Sequence, residues 1–87
     1  MTLPRIDFAT LVMSLSQTAL VHLGVVPNPD TSQPADIDLE LARQTIDLLE
    51  VLQEKTKGNL TGEEERLLNE ALYDLRTRFV SVSRAKN

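Results

Sequence analysis

A chain of 87 residues with no cysteine and a single histidine has room for one domain. It lacks the disulfides and multi-histidine metal clusters with which small domains commonly supplement a thin core. Its 13 acidic and 9 basic residues leave a net charge of −4, which repels phosphate backbones and argues against a nucleic-acid binder. Well-patterned helix packing is then the expected source of stability, with self-association as its supplement, and cysteine-free usage fits a reducing, cytoplasmic location.

Residues 1–87 read as one domain, with 1–6 and 84–87 expected to fray. No cleavage site convincing enough for a signal peptide precedes Gly24. The stretch from Phe8 to Pro29 has no Asp, Glu, Lys or Arg, and it approaches the roughly 20 residues of a membrane span. Thr10, Ser14, Ser16, Gln17, Thr18 and His22 interrupt it, so no membrane span is expected.

The first predicted helix covers about Phe8 to Leu23, with Asp7 as N-cap and Gly24 as the stop. At helical spacing Phe8, Ala9, Val12, Met13, Leu15, Ala19, Leu20 and Leu23 form one broad apolar face, with Ser16 its one polar member. The opposite face carries Thr10, Ser14, Gln17, Thr18 and His22 beside Leu11 and Val21, polar but without formal charge. A fully solvated face normally carries Lys and Glu, so this one reads as built for partial cover. A connector over 25–35 follows, with Pro27, Pro29 and Pro34 barring helix.

The second predicted helix starts near Asp36 or Asp38 and runs to Lys57, with Gly58 as its stop. Leu39, Leu41, Ala42, Ile46, Leu48, Leu49 and Leu52 cover about half its circumference. Glu40, Arg43, Asp47, Glu50 and Glu54 fill the rest, with Arg43 and Asp47 at ion-pair spacing. The third predicted helix opens on Thr61-Gly62-Glu63-Glu64, a capping box. Leu68, Leu72, Leu75, Phe79 and Val82 then repeat in alternating four- and three-residue steps, while Tyr73 and Val80 fall off that seam. The short Gly58-Asn59-Leu60 turn makes the last two helices an antiparallel hairpin. The expected fold is all-α: a small three-helix domain with that hairpin and a first helix joined by the Pro-rich connector.

The sequence also resembles a known family. The resemblance lies in Phe8-Ala9-Thr10-Leu11-Val12 with Ala19-Leu20-Val21-His22-Leu23-Gly24, and in Gln44-Thr45-Ile46-Asp47-Leu48-Leu49. It continues through Glu54-Lys55-Thr56-Lys57-Gly58-Asn59-Leu60-Thr61 and Leu72-Tyr73-Asp74-Leu75-Arg76. These runs are similar to the bacterial domain of unknown function 1844, over about Ile6 to Val82. The resemblance implies an intact, helical, bacterial domain and carries over no catalytic or binding residue.

Chemistry finds few parts. His22 stands alone, without the converging ligands of a metal site or the Glu-x-x-His pairs of a di-iron bundle. Thr18 is four residues before it, close enough for a local hydrogen bond but without an orienting acid. Glu50 with Glu54 and Glu70 with Asp74 are like-charged pairs on charged faces, and read as solvated surface. The three glycines are isolated, so no phosphate loop exists. Arg76, Arg78, Arg84 and Lys86 read as complementing the negative end of the last helix, with a basic tail touching an acidic partner as the alternative.

No catalytic residue, metal or cofactor is therefore expected. The leading expectation is a non-enzymatic protein–protein interaction domain, a homo-oligomer (dimer favoured) pairing through the first helix, with an unknown protein partner also open. The candidate interface is Leu11, Ser14 and Val21 on that helix, and Tyr73 with Val80 on the last. Peripheral membrane attachment and an unrecognised enzyme are the alternatives.

Overall fold

The computed structural model describes residues 7–27 and 36–86, apart from the side chain of Lys86. Within them lie three helices: α1 (Phe8–His22), α2 (Leu39–Lys55) and α3 (Gly62–Lys86). Most of the connector and the first six residues fall outside the described residues.

Each helix starts where a side chain can take an orphan amide. The Asp7 carboxylate accepts from the Thr10 N–H at 2.8 Å, and the Asp38 carboxylate accepts from the Leu41 N–H at 3.0 Å. Both halves of the capping box form at α3. The Glu64 N–H donates to the Thr61 hydroxyl at 3.1 Å, and the Thr61 N–H donates to the Glu64 carboxylate at 2.9 Å. α1 stops one residue earlier than the spacing predicts, with Leu23 as C-cap and Gly24 at φ 74°. α2 stops at Lys55, because Thr56 already leaves helical geometry as the C-cap while Gly58 turns the chain at φ 83°. At the other end α3 is helical to Lys86. Arg84, Ala85 and Lys86 are good helix formers, and two of them are cations at the negative helix end.

The Asp7 cap also titrates. Hydrogen bonding from Thr10, side chain first and backbone second, holds the Asp7 carboxyl below its ordinary value. A carboxyl depressed by folding contributes stability above its unfolded pKa and loses it as pH falls through the folded one. Asp7→Asn keeps a capping side chain without the titration, so its stability should fall less steeply than the wild type's below about pH 4. Urea midpoints measured across that range check this; identical acid limbs would show that Asp7 does not contribute.

The core is formed by Val12, Ala19 and Leu23 from α1 and its cap, Ala42, Ile46 and Leu49 from α2, and Leu68, Leu72 and Leu75 from α3. All three helix pairs touch. The Asp38 N–H donates to the His22 carbonyl at 2.8 Å, bringing the start of α2 to the end of α1. Asp7 and Ala9 line the same hollow as Thr61 and Leu67, so α1 and α3 start side by side. α2 and α3 run antiparallel, as the Gln53–Asn69 hydrogen bond and the Glu50–Arg76 ion pair record. The bundle is thus up, down, up.

The covered arcs are narrower than the sequence pattern suggests. Ala9 and Met13 on α1, and Leu41 and Leu48 on α2, belong to predicted apolar faces but lie in solvent. The fully buried small residues Ala19 and Ala42 mark where neighbouring helices approach, and the larger side chains beside them are left outside. Thr45 takes a place in the buried arc of α2 because its hydroxyl donates to the Leu41 carbonyl at 3.0 Å. Along α3 the seam is buried at Leu68, Leu72 and Leu75 but only partly at Phe79 and Val82. With 25 residues against 15 and 17, α3 outruns both partners, and its last turns have less to pack on.

Candidate functional site

The residues that chemistry would need do not come together. The Thr18 hydroxyl donates to the Ser14 carbonyl at 3.1 Å, back along its own helix, and is not used as a partner for the His22 ring. His22 itself is half-buried at the end of α1. Glu50 pairs with Arg76, and Asp74 takes the guanidinium of Arg78 at 3.0 Å, so each like-charged carboxylate pair has one member occupied by an arginine. Arg43 and Asp47, at ion-pair spacing, are not joined by a salt bridge among the described residues. No group of three His, Cys, Asp or Glu there could hold a metal ion.

A cavity of about 210 Å³ sits beside the α2–α3 turn, lined by Gln53, Glu54, Lys57, Leu60, Glu65 and Asn69 among others. Ligand pockets usually run from roughly 300 to 1,000 Å³. This one is smaller, and Leu60 and Leu68 line it together with polar side chains of two helix ends. It reads as the gap left by the hairpin turn.

The surfaces are more informative. On α1 the residues Thr10, Leu11, Ser14, Gln17 and Thr18 are exposed, Met13 is 57% exposed, and Val21 is half-buried. Leu11 and Met13 therefore border a strip of Thr, Ser and Gln. On α3 Tyr73 is 74% exposed, and it shares a shallow trough with Arg76, Thr77, Val80, Ser81 and Arg84. The two candidate groups lie on separate helices, with Tyr73 and Val80 lining one hollow and Ser14 another.

A third surface was missed by the sequence reading. Leu48 and Val51 on α2 are 55% and 57% exposed, with Leu41 and the preceding Ile37 also in solvent. Their hydrophobicity assigned Leu41 and Leu48 to the core. The signal that separates them is register: 41, 44, 48, 51 and 55 follow one line of three- and four-residue steps, while 42, 45, 46 and 49 follow another.

No described helix is long and apolar enough to cross a membrane. No curated protein and no solved structure matches the chain. The model of one family, described as Domain of unknown function (DUF1844), matches residues 5–81. With nearly the whole bundle inside that match, from the α1 cap through most of α3, the chain belongs to this family.

Proposed function

We propose that the chain is a non-enzymatic, cytoplasmic protein-interaction domain that pairs with a second copy of itself through the outer face of α1. One observation carries the reading: α1 has no Asp, Glu, Lys or Arg from Phe8 to His22, although Leu11, Met13, Ser14, Gln17 and Thr18 are exposed. A twofold interface sets a patch against itself. A patch without charges meets its own copy without like-charge repulsion, and the short chain gains the buried area that its core lacks. Leu11 and Met13 are the apolar anchors, and Ser14 with Gln17 supplies hydrogen bonds between them. The commitment of the Thr18 hydroxyl to a backbone carbonyl supports the non-enzymatic half of the reading.

Light scattering and sedimentation of the full chain from micromolar to nanomolar concentration test it. The expected result is a dimer that dissociates on dilution. Met13→Glu and Leu11→Glu place like charges across the axis and should weaken pairing about a hundredfold, roughly 2.7 kcal/mol, with helix content unchanged. A monomer at every concentration overturns the reading.

A further inference from the structure

The exposed apolar groups of α2 are aligned. Leu41, Gln44, Leu48, Val51 and Lys55 follow alternating three- and four-residue steps, and Ile37 continues the line just ahead of the N-cap. The spacing is that of a coiled-coil seam, apolar at Leu41, Leu48 and Val51 and polar at Gln44 and Lys55. It runs beside the buried arc of Ala42, Ile46 and Leu49 and is separate from it. Along its open edge stand Glu40, Asp47 and Glu54, seven residues apart and all exposed. The ion pairs among the described residues use Glu50 and Asp74 and leave this row out.

That row decides what fits. The same face of a second copy, laid antiparallel, would set acid against acid. Laid parallel, it would meet Asp38, Thr45 and Leu52 on the other edge, where there is no cation. The outer face of α3 offers Arg76 and Arg84 but only Tyr73 and Val80 as apolar contacts, too few for the stripe on α2. We propose that α2 docks an amphipathic helix of another protein, apolar along a heptad seam, with Lys or Arg on the edge facing Glu40, Asp47 and Glu54. The proposal rests on the interaction-domain reading but uses a different helix from the self-pairing surface.

The probe is a fluorescein-labelled synthetic peptide of three heptads, Leu along the seam and Lys at the flanking positions, with a twin bearing Glu in place of Lys. Anisotropy titrations with the full chain should show the Lys peptide binding at least about tenfold more tightly than its twin, and more weakly at high salt. Joint substitution Glu40→Lys, Asp47→Lys and Glu54→Lys should reverse the preference. Leu48→Glu should weaken the Lys peptide about tenfold or more, and Leu48→Gln should do so in part, each with an unchanged circular dichroism spectrum. Met13→Glu should leave peptide binding intact, so failure of α1 pairing and failure of α2 docking are told apart. No saturable binding of the Lys peptide, or equal binding of the twins, overturns the proposal. So does a preference unmoved by the triple substitution, or a dimer converted to monomer by Leu48→Glu, which would give the stripe to a second copy.

Discussion

Leu72→Ala should remove about 3 to 4 kcal/mol of folding stability, the cost of deleting a well-packed leucine and leaving a partly collapsed cavity. Leu72 is 1% exposed and belongs to the core that all three helices share. On the usual per-residue scale a domain of 87 residues is stable by roughly 4 to 13 kcal/mol. One truncation therefore takes a large share of the total. The melting temperature should fall by about 12 to 30 °C, followed by far-UV circular dichroism at a fixed chain concentration, since pairing would shift the midpoint by mass action. Leu48→Ala is the matched control. It removes the same atoms from a residue 55% exposed, and should change stability by about 0.5 kcal/mol or less. Equal costs at the two positions would mean that the outer stripe of α2 is covered within the folded chain.

Ser16→Ala should act in the other direction and stabilise the chain by about 1 to 2 kcal/mol. The Ser16 hydroxyl is buried without a hydrogen-bond partner. Leaving a hydroxyl desolvated and unpaired costs about 1 to 3 kcal/mol, and alanine is the better helix former by a few tenths more. The buried Thr45 hydroxyl of α2 escapes that cost by donating to the Leu41 carbonyl four residues back, at 3.0 Å. Urea unfolding of the two proteins decides it. A lower midpoint for Ser16→Ala would show that the hydroxyl is satisfied in the folded chain and contributes to its stability.

The parts of the fold legible in the sequence are those fixed by local chemistry. Asp7 and Thr61 cap helices because their oxygens reach amides three residues on. The seam of Leu68, Leu72 and Leu75 is buried because one narrow line leaves no choice of face. The width of contact was not legible. α2 carries apolar residues over half its circumference, and hydrophobicity ranks Leu41 and Leu48 above Ala42 and Thr45. Packing reverses that order, since small residues let two helices approach and a self-satisfied threonine can join them. The same cause hid part of the candidate site. Tyr73 and Val80 could be picked out because they fall off a narrow seam, whereas the stripe on α2 was absorbed into a broad one.

The hydrogen bond from Asp38 to the His22 carbonyl fixes the two ends of the proline-bearing link at one place. That backbone contact joins the end of α1 to the start of α2, so the set of the two helices is held by a hydrogen bond at one end as well as by the core between them.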